Sequence, residues 1–286
     1  MTPWPEQIAA AFRVACRDEL DAPKPGNVHV FAAGHRMTAA DFARSADAAA
    51  GPLSHSGMRV GARIAAAVEA TFAAVGANTN LGILLLCAPL AAAADPPPHD
   101  LRAALDAVLA ALDIDDANLA FRAIARAAPA GLGRSERHDV FLPATVTLKQ
   151  AMVEAGDRDR IAHQYASGFD DIFALGEPVL TAALARTPHP RWATLAVYLG
   201  FLAEFPDSHI VRKHGAAVAD ETRRTAATFL RRMQSVEPDG LLADLLAWDA
   251  ALKHDGINPG TSADLTVATL FAHRLRNILP PSANSG

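Results

Sequence analysis

An all-α fold, arranged as a single multi-helix bundle domain, is what this sequence predicts, and three observations carry the prediction. The composition is 51% hydrophobic but only 6% aromatic, with alanine supplying much of the apolar fraction. That suits closely packed helices and not a β-sandwich, which needs bulky branched and aromatic side chains. Apolar residues recur at three- and four-residue steps, the period of helices with one face turned inward. No linker of flexible composition and no repeat of fixed period divides the 286 residues, so one helical domain over 1–279 is expected, with a two-lobed helical bundle as the alternative.

Taken in order, Ile8, Ala9, Phe12, Ala15, Cys16 and Leu20 mark a first helix over 6–20, which Pro23 stops from continuing. Thr38 and Asp41 form a capping-box-like opening for a helix through Ala50, closed by Gly51-Pro52. Over 57–75, Val60, Ile64, Val68 and Phe72 make an inward stripe, and Glu69 sits at its edge, toward a cleft. An apolar helix runs to Ala94, Pro96-Pro97-Pro98 ends it, and a helical pair follows over 101–127. Segment 129–143, rich in breakers and mixed charges, reads as a mobile connection and a lid. Periodicity resumes near Val146, with helices expected over 161–175, 178–186, 191–205, 216–234, 241–254 and 263–278 and a disordered tail at 280–286.

The formal charge of −5 gives no general attraction to nucleic acid or anionic lipid, so any phosphate chemistry must use a local site. Cys16 and Cys87 lie in apolar helical stretches and read as core thiols of a protein in a reducing compartment. The start of the chain lacks the pattern of a secretory signal, and the most apolar stretch, 81–94, is too short to span a bilayer. A cytoplasmic protein is expected, and alanine-rich helices of this kind also suit packing against a twin subunit as a homodimer.

Four polar segments stand at helix boundaries, where unpaired backbone N–H groups and partial positive charge favour anions. In Lys24-Pro25-Gly26-Asn27-Val28-His29 the prolines fix the backbone and Gly26 permits close approach. Lys24 and His29 supply a permanent and a switchable cation, and a plain turn with a surface lysine is the competing reading. Asn78-Thr79-Asn80-Leu81-Gly82 offers carboxamides able to read a ribose hydroxyl or base edge, with Thr79 or Asn80 placed to cap the next helix. The densest group is Asp207-Ser208-His209-Ile210-Val211-Arg212-Lys213-His214-Gly215, in which Asp207 suits Mg²⁺ and Lys213 and His214 suit a polyphosphate. In Asn258-Pro259-Gly260-Thr261-Ser262-Ala263-Asp264, capping explains Thr261 and Asp264, and Asn258 is less easily explained as structure.

These segments, in this order over about residues 16–272, resemble the triphosphoribosyl-dephospho-CoA synthase family, and more closely its branch in methanogens and methylotrophs. The matches are Lys24-Pro25-Gly26, Asn78 to Gly82, and Asp207-Ser208-His209 with Lys213-His214-Gly215, while Glu69 stands where the family has a glutamate. Asn80-Leu81 replaces the family's His-Lys and Lys213-His214-Gly215 its Arg-Gly-Gly; Tyr165 to Asp170 stands about where the family has Gly-Ala-Arg-Gly-Glu-Ala. The resemblance implies an all-α transferase that moves a triphosphoribosyl unit from ATP, releasing adenine, to a hydroxyl of dephospho-CoA. On that reading Mg²⁺ on Asp207, with Glu69, holds the phosphates together with Lys24 and Lys213. Gly26, Asn27, Asn78, Thr79, Asn80, Asn258 and Thr261 complete the substrate-binding set, and His29, His209 or His214 takes the acceptor's proton.

Three other readings stand beside it. One is a related ribosyl-transfer step in one-carbon, methanopterin-type cofactor biosynthesis. A second is a helical metal-dependent phosphohydrolase, suggested by the pairs His99-Asp100, His138-Asp139 and His254-Asp255, although 11 histidines make chance pairs expected. The third is a nucleotide-binding subunit without turnover.

Overall fold

Helices form where the apolar period places them. The computed structural model describes residues 2–34, 37–129, 133, 137–187, 189–235 and 238–280. Among these residues there are fourteen α-helices and no sheet, only isolated bridges pairing His29 with Ala32 and Gly34 with Met37. The fold is all-α. The chain divides into two compact units, one of Met1–Val14, Ala43–Phe169 and Phe271–Gly286, the other of Ala15–Phe42 and Asp170–Leu270.

The first unit holds the start of α1 (Trp4–Asp21), most of α2 (Ala39–Ser54), α3 (Val60–Val75), α4 (Leu81–Ala93), α5 (Leu101–Ala111), α6 (Ile114–Ala127), α7 (Leu148–Ala155), α8 (Arg160–Ser167) and the end of α14 (Gly260–Ile278). Helix α4 is apolar on every side and is therefore its centre, with Leu81, Ile83 to Leu86, Cys87, Ala88 and Leu90 all buried. Pro89 interrupts it. A proline has no N–H to give the carbonyl four residues back, which here is Leu85. The buried Tyr165 hydroxyl donates to that carbonyl at 2.6 Å, so the lost bond is replaced from α8. Helices α3 and α6 approach so closely at Gly61 that a Cβ there would lie 2.6 Å from the Asp116 backbone. Gly61 N–H donates to the Asp116 carboxylate at 2.9 Å.

The second unit is built around α10 (Pro190–Glu204), buried from Trp192 to Leu202, with α9 (Glu177–Leu184) and α12 (Ala216–Arg232) against it. Trp192, Leu195, Tyr198, Leu199, Leu202, Phe229, Leu241 and Leu245 form one apolar cluster there. The remaining helices of this unit are the end of α1, the start of α2, α11 (Ser208–His214), α13 (Leu242–His254) and the first part of α14.

Several boundaries differ from the sequence reading. Gly51-Pro52 does not end α2, which runs to Ser54. Proline so near a helix end removes a single bond, and the Arg63 guanidinium satisfies the Leu53 carbonyl at 2.6 Å. The helix expected over 161–175 is broken instead. Gly168 and Phe169 both take left-handed conformations, and a π-helical turn, Asp171–Gly176, follows. The charge-dense 207–215 segment is itself a helix, α11. Of the proposed lid, residues 130–132 and 134–136 lie outside the described residues, and 281–286 of the tail do so too. Within 137–143, Asp139 caps a turn by accepting from Phe141 N–H at 2.9 Å.

Candidate active site

The breaker-rich segment after α1 is not a surface turn. Residues 22–29 are all buried in the second unit. Gly26 has φ +81°, and a Cβ on it would come within 2.8 Å of Pro259 and 3.1 Å of the Ile257 carbonyl, so only glycine fits against the 257–259 turn. Tyr198 O–H donates to the Pro25 carbonyl at 2.6 Å, which ties the loop to α10.

Lys24 is fully buried, and its ammonium donates to Glu19 at 2.5 Å, the Val28 carbonyl at 2.6 Å and Asn27 Oδ1 at 3.1 Å. All three N–H donors are thereby engaged. Burial lowers the Lys24 pKa, opposed by Glu19, and burial raises the Glu19 pKa, opposed by Lys24. Asn27 passes the connection on, its Nδ2 donating to Asn258 Oδ1 at 2.9 Å.

His29 is 1% exposed. Its Nε2 lies 3.3 Å from Asp249 Oδ1, and its Nδ1 has no hydrogen-bond partner among the described residues. Asp249 also accepts from Gly26 N–H at 2.8 Å and, through Oδ2, from Lys253 Nζ at 2.9 Å. Lys253 in turn donates to the Ala32 carbonyl at 3.2 Å. Burial pulls the His29 pKa down, opposed by the bond to Asp249, and holds the ring neutral. Burial works against charge on Asp249, yet the bonds from His29, Lys253 and Gly26 outweigh it and keep the carboxyl below its ordinary range.

Asp207 caps two helices at once. Oδ1 accepts from His209 and Ile210 N–H at 2.9 and 3.2 Å, and Oδ2 accepts from Ser262 N–H and Oγ–H, each at 2.8 Å. Burial pushes its pKa up, opposed by those four donors. The hydroxyl cap expected at Thr261 is absent, because α14 starts a residue earlier, at Gly260, and its first turn is capped from Asp207. His209 packs against Gly260, where a Cβ would lie 2.9 Å from its Nδ1. Lys213 Nζ and His214 Nε2 meet the Gly256 carbonyl at 3.2 and 3.0 Å.

Three of the four polar segments are thus joined within the second unit, all onto the turn at 256–262. Asn78, Thr79, Asn80 and Glu69 belong to the first unit. Asn80 occupies the N-cap position of α4 but does not cap it; its Oδ1 accepts from Thr71 at 3.2 Å, and Asn78 Oδ1 accepts from Leu81 N–H instead. Thr79 donates to Ser45 Oγ at 2.6 Å. Glu69 is exposed and pairs with Arg126 at 3.4 Å. Of the proposed Mg²⁺ ligands, Asp207 has each oxygen engaged by two donors and offers no open position to a cation, and no group of three His, Cys, Asp or Glu residues gathers among the described residues. Of the His-Asp pairs, Asp100 caps α5 and Asp139 caps its turn. Sequence reasoning missed Glu19, Asp249, Lys253 and Ser262.

A sequence model of the ATP:dephospho-CoA triphosphoribosyl transferase family matches residues 5–282. The chain belongs to this family. It is therefore a transferase that moves the triphosphoribosyl unit of ATP to dephospho-CoA, as the resemblance in its motifs implied. No curated protein matches the chain. A crystal structure described as that of a candidate triphosphoribosyl-dephospho-CoA synthase from Archaeoglobus fulgidus has the same fold, with a TM-score of 0.64 and 22% identity. It covers 81% of this chain and 97% of that one.

Proposed function

We propose that the polar turns joined in the second unit carry the triphosphoribosyl transfer, within a domain spanning residues 1–279. The observation that supports this is the hydrogen-bonded union of segments 24–29, 207–215 and 256–262, remote in sequence. Loops that need only connect helices have no use for such a buried charged network, which is costly to desolvate.

In this reading Lys24 is the internal prop of the loop, and Asn27 and Gly26 hold it against the 256–259 turn. Asp207 fixes the starts of α11 and α14, so that Lys213, whose side chain reaches solvent, together with His214, Asn258 and Thr261, addresses the substrate's phosphates and ribose. Asn78, Thr79 and Asn80, all in the first unit, remain proposed substrate-binding residues. His29, neutral and buried, is the proton acceptor we favour over His209 and His214, whose rings pack on Gly260 and bond the Gly256 carbonyl. Mg²⁺ enters with ATP as the counter-ion of its triphosphate and takes no protein carboxylate as a fixed seat. A cytoplasmic setting and a homodimer complete the proposal; the buried thiols of Cys16 and Cys87 agree with a reducing compartment.

The test is incubation with ATP, Mg²⁺ and dephospho-CoA, following free adenine by chromatography and the acceptor by mass. Adenine release that depends on dephospho-CoA, and that falls in Lys213→Ala and His29→Gln, supports the reading. Full activity in both variants would move the site elsewhere.

A further inference from the structure

A buried imidazole is useful as a base only if one particular nitrogen is left bare, and the surroundings of His29 decide which. Its Nε2 faces Asp249 Oδ1 at 3.3 Å and Lys253 Nζ at 3.5 Å, while Nδ1 has no partner among the described residues. Suppose the proton sat on Nδ1. A buried N–H donor would then go unsatisfied, and the Nε2 lone pair would point at a carboxylate oxygen, a double penalty that the long contact to Lys253 does not offset. With the proton on Nε2, the ring donates to Asp249, Lys253 keeps its shorter bonds to Asp249 Oδ2 at 2.9 Å and the Ala32 carbonyl at 3.2 Å, and only a lone pair is left over.

We propose that Asp249 is a positioning residue that locks His29 in the Nε2–H tautomer, leaving Nδ1 as the atom that takes the proton of the acceptor hydroxyl; this rests on the transfer reading above. In the step, the acceptor O–H bond breaks and its proton goes to Nδ1. The oxygen bonds to the ribose carbon that carried adenine, and the bond from that carbon to adenine breaks with its electron pair leaving on the base. His29 ends as an imidazolium beside the Asp249 carboxylate. The charged groups facing the ring are Asp249 and Lys253 of α13 and Lys24 of its own loop, the last neutralised by Glu19 of α1. Their charges cancel in pairs, Lys24 with Glu19 and Lys253 with Asp249. The ring therefore resists protonation in the resting protein, and Asp249 is at hand when the proton arrives.

The tautomer is read directly from ¹⁵N–¹H correlations of ring-labelled histidine, with His29→Gln identifying the signal. The expected pattern is a protonated Nε2 and a bare Nδ1. In Asp249→Ala no carboxylate accepts from Nε2, so the hold on the Nε2–H tautomer is lost and kcat for adenine release should fall by about 10²–10⁴-fold, the usual worth of a positioned base, with KM for ATP little changed. Because that variant leaves Lys253 without its carboxylate, Asp249→Ala combined with Lys253→Met is measured beside it and should show the same loss. An Nδ1–H ring in the unsubstituted protein, or wild-type turnover in the folded double variant, would overturn the assignment. An unsubstituted protein that showed the Nε2–H ring but released no adenine would sink the transfer reading and the proton role built on it, and leave the Asp249–His29 tautomer assignment standing.

Discussion

Replacing Lys24 by methionine separates two roles for that residue: phosphate ligand, as its motif suggests, or internal prop, as its burial suggests. The side chain is 0% exposed and its ammonium has three partners, of which Glu19 at 2.5 Å is itself 3% exposed. Methionine fills most of the volume but leaves the Glu19 carboxylate and the Val28 carbonyl with no donor in a place water does not reach. Breaking one side of a buried pair typically costs about 3–5 kcal/mol, and here the orphaned carbonyl argues for the upper end. The urea midpoint should drop by about 1–2 M. Glu19→Gln together with Lys24→Met removes the uncompensated charge, so the double variant should recover much of the loss. The pH dependence has a definite sign. With Lys24 gone, the Glu19 pKa is raised further by burial, so the folded state binds the extra proton. Stability is then greatest below the ordinary glutamate value of about 4.5 and declines as pH rises through the raised one. The reasoning is refuted if Lys24→Met changes the midpoint by less than the scatter of replicate measurements while abolishing adenine release, since that is how a ligand of the substrate behaves.

Other changes test other joints of the structure. Tyr165→Phe leaves the Leu85 carbonyl orphaned beside Pro89 and should cost about 1–3 kcal/mol by chemical denaturation. Adding Pro89→Ala, which restores an N–H to the helix, should reduce that cost. Asp207→Ala removes the caps of α11 and α14 together and should cost about 2–4 kcal/mol, more than Asp207→Asn, which keeps an acceptor oxygen. For His29, whose pKa is lowered by burial, the unfolded chain binds more protons just below pH 6.5. Stability should therefore fall as pH drops from about 6.5 toward the lowered value, and His29→Gln should abolish that slope in pH-dependent melting.

The helices were legible because a 3.6-residue apolar period is a local property, and so were the loops that carry prolines and glycines. Their partners were not, because hydrogen bonds such as Asn27 to Asn258 or Asp207 to Ser262 span sequence separations that no local pattern encodes. A signal for the missed residues did exist. Glu19 lies on the stripe of Phe12, Ala15 and Cys16, and Asp249 lies on that of Leu245 and Leu252, both at positions where the helical period calls for an apolar side chain. A carboxylate on an inward stripe requires a buried cation or donors, and Lys24 and Lys253 are those cations. Conversely, α11 is not legible as a helix in the sequence because its charged residues hide a seven-residue helix held by its cap at Asp207. The breaks at Gly51-Pro52 and at Thr261 were misplaced because each helix end is satisfied by a distant side chain, Arg63 in one case and Asp207 in the other.

The charge balance of the site bears on how it meets its substrate. Lys24 with Glu19, and Lys253 with Asp249, are paired and buried, so the interior around His29 carries no spare positive charge for a triphosphate. A polyanion drawn into that interior would face two carboxylates and a neutral ring, and the Asp207 carboxylate already occupies the helix starts that otherwise attract phosphate. On the proposed reading the phosphates therefore sit at the accessible edge of the second unit, with Lys213 and the Mg²⁺ proposed to accompany ATP, while the buried network is suited to the uncharged part of the reaction, where a hydroxyl loses its proton. That division predicts separable kinetics: Lys213→Ala should raise KM for ATP, and more so at low salt, where its charge is least screened, whereas changes at His29 or Asp249 should act on kcat. If Lys213→Ala lowered kcat at unchanged KM, the phosphates would have to be held elsewhere.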